Sequence, residues 1–183
     1  MEKELASPKK VLIRIAVVGP ESTGKSTISK QLALHYKTIF VPEMAREYLG
    51  RLTGKYTLRD IEEISKIQIQ HETQCENMAK KILFCDTNLV VTKIWAEFVF
   101  GTCTNWIEEN LLKKTYDLHL LMFPDTIWEP DKLREHPRHR MELFSMYKNL
   151  LTKMNVRFEV ITGKGEERLL NAISVVEKII STP

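Results

Sequence analysis

The residues best suited to chemistry stand in one run, G-P-E-S-T-G-K-S, from Gly19 to Ser26. Their spacing meets G-x-x-x-x-G-K-[ST] without a mismatch, the pattern of a backbone loop that wraps phosphate. Gly19 and Gly24 let main-chain N–H groups turn inward at the start of a helix, where the helix dipole favours an anion. In such a loop Lys25 reaches the β- and γ-phosphates of ATP, and the Ser26 hydroxyl binds Mg²⁺. Gly19, Glu21, Ser22, Thr23, Gly24, Lys25, Ser26 and Thr27 are therefore the candidate nucleotide-binding residues. A glycine-rich turn that merely opens a helix is the plainer alternative. The order of strand, loop, Lys-Ser pair and helix argues against it.

Phosphate held this way calls for carboxylates and further positive charge nearby. Asp86 closes the apolar run I-L-F-C-D and suits a strand-end carboxylate holding the metal, so Ser26 and Asp86 form the candidate metal pair. Glu43, in V-P-E-M-A-R-E-Y, follows another apolar run, and strand ends of this kind line one crevice in a doubly wound sheet. Glu43 and Asp86 are the candidates to orient or deprotonate an acceptor hydroxyl, and their roles are exchangeable. Arg46 and Tyr48 lie one turn further on, Tyr48 as a wall of the acceptor site. Arg46 reads equally well as a site residue and as a solvated helix charge. Between Pro124 and Arg140 the run P-D-T-I-W-E-P-D-K-L-R-E-H-P-R-H-R has the composition of a mobile lid whose arginines close over phosphate. Arg138 is the first candidate there and Arg134 the second, against the reading of a solvated basic turn. T-G-K-G-E-E-R, ending at Arg168, reads either as a turn against adenine or as an ordinary turn into a helix.

These groups need a scaffold, and the hydrophobic pattern supplies one. Five short apolar runs, Val11–Gly19, Thr38–Val41, Ile82–Cys85, Leu118–Phe123 and Phe158–Thr162, read as strands covered on both faces. Between them run helical stripes: Leu58, Ile61, Ile64, Ile67, His71, Cys75 and Met78; Leu143, Tyr147, Leu150 and Met154; Leu169, Ile173, Val176 and Ile180. Thr57 with Asp60 marks the N-terminus of the first stripe. Strands alternating with helices predict an α/β fold with a largely parallel sheet. No linker or repeat divides the chain, which reads as one domain, 11–183, after a polar extension, 1–10. Lys plus Arg (27) against Asp plus Glu (24) leaves a net charge of +3, too little to argue for nucleic acid. No apolar run approaches the roughly 18 residues of a membrane helix. The three cysteines form no C-x-x-C pair, and His136 and His139 lack further zinc ligands. The expectation is a cytoplasmic protein acting on a small-molecule substrate, with neither nucleic acid nor membrane as partner. Its oligomeric state is not fixed by the sequence.

Five segments together resemble the ribosylnicotinamide kinase domain that forms the C-terminal part of NadR proteins. They are V-V-G-P-E-S-T-G-K-S-T, F-V-P-E-M-A-R-E-Y, L-F-C-D-T-N-L-V-V-T-K-I-W-A-E-F-V-F-G, W-E-P-D-K-L-R-E-H-P-R and G-K-G-E-E-R-L. The resemblance runs from about residue 11 to the end of the chain. It implies a P-loop kinase fold, three layers built on a five-stranded parallel sheet in the order 2-3-1-4-5, with an arginine-bearing lid. It also implies ATP-dependent phosphorylation of the 5′-hydroxyl of nicotinamide riboside, giving nicotinamide mononucleotide, with ATP and Mg²⁺ as cofactors. The H-x-G-H signature of the adenylyltransferase part of NadR is absent, so a stand-alone kinase is expected. Because nicotinamide riboside carries a pyridinium cation, an aromatic face should attract it. Trp95 is the first candidate for substrate stacking, ahead of Trp128, although Ile94, Phe98 and Val99 give its helix a core-facing reading too. The alternatives are a P-loop kinase for another nucleoside or small alcohol, and a nucleotide-binding ATPase or sensor with no small-molecule acceptor. A GTPase is excluded, since neither N-K-x-D nor D-x-x-G follows in the expected places.

Overall fold

The computed structural model describes residues 12–181. The expected extension 1–10, the start of the first run at Val11, and the last two residues lie outside the described residues. The elements follow in the order β1 (Ile13–Val18), α1 (Lys25–His35), β2 (Phe40–Val41), α2 (Ala45–Gly50), α3 (Leu58–Met78) and β3 (Ile82–Asp86). Then come α4 (Leu89–Phe100), α5 (Asn105–Asn110), β4 (Leu118–Met122), α6 (Arg140–Lys153), β5 (Phe158–Ile161) and α7 (Glu166–Ile180). The strands form one parallel sheet, β2-β3-β1-β4-β5, as the resemblance implies. All five strand ends therefore point the same way, and the turn after β1 emerges at the middle of that edge.

The sheet is covered on both faces, which explains why its strands read as continuous apolar runs. Alternate side chains of a strand leave on opposite faces. Ile15 and Val17 of β1 pack with Ile28 and Leu32 of α1 and Ala172 and Val176 of α7, whereas Ala16 and Val18 pack with Val90 and Ile94 of α4 and Tyr147 and Leu151 of α6. No helix among the described residues is long and apolar enough to cross a membrane.

The helical stripes needed correction. In α3 the buried residues are Ile61, Ile64, Ser65, Gln68 and Glu72, while Met78 is 65% exposed. The expected stripe opens with three successive steps of three residues, short of the 3.6 of a helical turn, so from Ile67 it runs beside the buried face. That face continues through polar groups that have partners elsewhere in the chain. Gln68 Oε1 accepts the Met44 N–H at 3.0 Å, and Glu72 Oε2 accepts from the Tyr116 hydroxyl at 2.7 Å. In α7 the buried set is Arg168, Ala172, Val176 and Ile179: Val176 is as expected, and the other three lie one residue before the expected positions. The start of α3 is as expected: Thr57 and Asp60 form a reciprocal capping box.

Candidate active site

The phosphate loop joins β1 to α1 and is shaped by positive φ angles. Gly19 (φ 137°) packs so close to β4 that a Cβ would lie 2.9 Å from the Met122 carbonyl oxygen, and Gly24 (φ 79°) is the left-handed residue that opens α1. Only glycine meets the first demand without displacing backbone. The loop is closed on itself: the Thr23 hydroxyl (2.8 Å) and the Lys25 ammonium (2.9 Å) both donate to the Pro20 carbonyl. Lys25 thus folds over the loop, at the place where a phosphate oxygen would otherwise take its charge.

Asp86, the last residue of β3, lies beneath the loop and is 1% exposed. Burial, and then the negative charge of Glu43, push its carboxyl up to about 6, against the pull of the Ser26 hydroxyl, the Lys25 charge and the Glu43 N–H. Its Oδ1 is buried without a hydrogen-bond partner. Thr87 follows at φ 71°, a strained setting for a β-branched residue. One hydroxyl, one carboxylate with a free oxygen, and no group of three His, Cys, Asp or Glu among the described residues form a donor set that fits Mg²⁺ completed by phosphate and water. A closed zinc site does not fit it.

Above the loop opens a cleft of about 740 Å³. The phosphate loop, Gly19 to Thr27, forms its floor, and Glu43 and Arg46 stand on one side. Ile94, Trp95 and Phe98 of α4, with Tyr56, make an apolar wall. Trp95 lines the cleft and also packs against the buried cluster of Ile61, Ala96 and Ile107. Tyr48 is not in the wall; its hydroxyl donates to Asp60 Oδ1 at 2.8 Å, at the start of α3. Tyr56 lines the wall, at a ring-centroid distance of 5.0 Å from Trp95. Trp128 lies outside the lining, where the Arg140 guanidinium covers its ring.

The segment 124–139, between β4 and α6, covers the loop. Ser22 is the main docking point. Its Oγ accepts the Glu129 N–H at 2.9 Å, and its carbonyl accepts from the Thr126 hydroxyl at 2.6 Å and from Arg140 at 2.9 Å. Arg134 donates to Glu129 O at 2.6 Å and reaches Ser22 Oγ at 3.4 Å. Arg46 is ion-paired with Asp131 of the same segment at 2.9 Å, so it is neither a bare surface charge nor aimed at the loop. Arg138 is exposed and outside the cleft lining, so the arginines at the loop are Arg134 and Arg140.

Arg168 carries a role that sequence reasoning missed. It is 2% exposed and donates to Thr23 O at 2.8 Å, Gly163 O at 2.6 Å and Phe123 O at 3.0 Å, while its guanidinium is paired with Asp125. It therefore braces the phosphate loop from behind. A signal was present: a cation in the first turn of α7 opposes the helix dipole, which is tolerable only when the charge is tied down.

Residues 14–168 match the AAA domain family. The chain is 25% identical over 173 residues to the trifunctional NAD biosynthesis/regulator protein NadR of Escherichia coli, covering 91% of this chain and 42% of that protein. It thus spans less than half the length of this curated relative. Among solved structures, a NadR protein in complex with NR superposes with a TM-score of 0.82 at 22% identity, over 93% of this chain and 52% of that one. Deoxyadenosine kinase from M. mycoides, with its products bound, has a TM-score of 0.65 at 13% identity, over 91% of this chain and 100% of that one. The fold is that of the P-loop nucleoside and nucleotide kinases.

Proposed function

The chain belongs to the AAA domain family, matched over residues 14–168, and from that premise we propose that it is a nucleoside kinase that phosphorylates the 5′-hydroxyl of nicotinamide riboside with ATP. One observation carries this reading: a single cleft joins a phosphate loop ending in Lys25 and Ser26, the carboxylate of Glu43, and an aromatic wall built on Tyr56 and Trp95. A bare ATPase has no use for the wall. The similarity to NadR along 91% of the chain supports nicotinamide riboside over other ring-bearing alcohols.

Phosphoryl transfer asks a protein mainly for positioning and charge neutralisation. The loop's main-chain N–H groups hold the β- and γ-phosphates, and Lys25 exchanges the Pro20 carbonyl for phosphate oxygen. Ser26 and Asp86 would hold Mg²⁺, which when bound would supply positive charge to the phosphates. Arg134 and Arg140, anchored at Ser22, bring positive charge over the transferred group. Glu43, which lines the cleft beside Asp86, orients the acceptor hydroxyl and takes its proton. Trp95 offers a ring face to the pyridinium.

The test incubates the purified chain with ATP, Mg²⁺ and separate acceptors: nicotinamide riboside, its uncharged reduced form, deoxyadenosine and thymidine. Nicotinamide riboside is expected to give the highest kcat/KM. Cation–π attraction accounts for a preference of about two- to thirtyfold over the reduced form, and Trp95→Leu is expected to abolish that preference. Fastest turnover of a deoxynucleoside would keep the kinase and replace the acceptor. ATP consumption with no phosphorylated nucleoside would overturn the kinase reading.

A further inference from the structure

Besides the bonds at Ser22, two bonds that hold the lid segment over the cleft meet at one acidic residue of the phosphate loop. Glu21 Oε2 accepts from two consecutive backbone donors, the N–H of Glu135 at 3.1 Å and the N–H of His136 at 3.0 Å. Both bonds are charge-assisted, which makes them stronger than ordinary backbone contacts. The Glu135 side chain turns the other way, its Oε2 accepting from the Tyr56 hydroxyl at 2.6 Å. The same Tyr56 oxygen accepts the indole N–H of Trp95 at 3.1 Å. One lid residue is thus held by its backbone to the phosphate loop and by its side chain to the aromatic wall.

From this chain of contacts we infer that Glu21 is the latch of the lid, a positioning residue, and that Tyr56 and Glu135 relay occupancy of the acceptor wall to that latch. The second half of this role rests on the kinase reading above; the first does not. Tyr56 and Trp95 both line the cleft and are in edge contact, so a ring entering between them has to turn or displace one of them. Any such movement pulls on the Glu135 carboxylate, and through the same residue on the N–H that Glu21 holds. Burial and Glu135 keep the Tyr56 hydroxyl protonated, pushing it up to about 12, so it remains a donor across the physiological range. The Arg46–Asp131 pair ties the same segment, but as an exposed surface pair it is worth little.

Hydrogen exchange at individual backbone amides of the full chain tests both halves. Without ligand, Glu21→Ala is expected to speed exchange at the Glu135 and His136 amides about tenfold or more while the β1 and β3 amides keep their rates. Glu21→Gln, which retains an acceptor oxygen and is close to isosteric, is expected to speed them less. Unchanged rates at these two amides in both variants would overturn the latch, whatever the protein catalyses. Nicotinamide riboside added alone is expected to change exchange at the two amides about threefold or more in wild type, and to leave them unchanged in Tyr56→Phe at a ligand concentration that calorimetry shows to saturate both proteins. A response that survives in Tyr56→Phe would overturn the relay and leave the kinase reading intact. No response in wild type also overturns the relay, and only a failure of phosphorylation as well would count against the kinase reading.

Discussion

Replacing Arg168 should damage the fold and nucleotide binding together. The guanidinium is 3% exposed and faces Asp125, whose side chain is 26% exposed. Its other bonds go to carbonyls of the phosphate loop, the end of β4 and the turn after β5. Arg168→Met keeps much of the stem's volume but removes the donor to Asp125 Oδ1 and to the Thr23, Phe123 and Gly163 carbonyls, leaving the Asp125 carboxylate with the Gly163 N–H on Oδ2 and no neutralising charge. Breaking a buried pair by removing one partner costs about 3–5 kcal/mol. At this chain length that cost lowers Tm by about 6–20 °C. Arg168→Lys restores charge without the forked geometry and is expected to recover less than half of the loss. Asp125→Asn relieves the stranded charge, so the double variant with Arg168→Met should be more stable than the sum of the single effects predicts, by about 1–3 kcal/mol. Chemical denaturation of the four proteins measures this coupling, and calorimetry with ATP measures the loop. Nucleotide binding is expected to weaken about tenfold in Arg168→Met at temperatures where the fold is intact. A loss below about 1 kcal/mol, or unchanged ATP affinity in the folded variant, would refute Arg168 as the brace of the phosphate loop.

Lys25→Ala is expected to lower kcat by about 10²–10³ while leaving Tm unchanged, since among the described residues its hydrogen bond goes to a loop carbonyl; steady-state kinetics with a thermal melt checks both. Glu43→Gln should lower kcat about 10²–10⁴-fold with little effect on ATP binding, whereas Asp86→Asn should raise the Mg²⁺ concentration needed for half-maximal rate. If the two carboxylates prove exchanged, the two kinetic phenotypes exchange with them. The buried Glu72 makes stability depend on pH: burial raises its carboxyl from 4.5 to about 7, against the Tyr116 hydroxyl and Lys114. The folded state therefore binds the proton more tightly, and this contribution, up to about 3 kcal/mol, is fully present below pH 4.5 and lost as pH rises through 7. His119 has the opposite sign. Burial lowers it from 6.5 to about 4, so its contribution is present above pH 6.5 and lost as pH falls towards 4. Relative to wild type, denaturation of Glu72→Gln from pH 4 to 8 should show stability gained at the alkaline end, and a rise with pH between 4.5 and 6.5 that the two opposed groups offset in wild type.

The fold was legible because its signals are local. Buried parallel strands leave uninterrupted apolar runs, and the phosphate loop has a spacing that little else produces. The placement of Lys25 and Ser26 on α1, and of Asp86 at the end of β3, follows directly from where those runs stop. What could not be read depends on long-range contacts. Gln68 and Glu72 look like solvated residues until Met44 and Tyr116 are seen to cover them. Tyr48 reads from sequence as a wall of the acceptor site, but its hydroxyl is drawn to Asp60 at the start of α3, and Tyr56 takes the place in the wall. Arg138 and Arg140 stand two residues apart in one basic run; the start of α6 at Arg140 turns that residue towards Thr126 and Ser22 and leaves Arg138 outside. Arg168 sits beside Glu166 and Glu167 at a helix start, and its position against the helix dipole is the one local hint that its charge is tied down elsewhere.

The central claim, that this cleft moves a phosphoryl group from ATP to a nucleoside hydroxyl, is tested most directly by stoichiometry. Purified protein, ATP, Mg²⁺ and nicotinamide riboside are followed by phosphorus NMR, counting ADP, inorganic phosphate and the 5′-phosphomonoester in one sample. The account predicts one phosphomonoester for each ADP, no phosphate above background, and loss of both signals in Lys25→Ala. ADP accompanied by an equal amount of inorganic phosphate, with no ester, would contradict it.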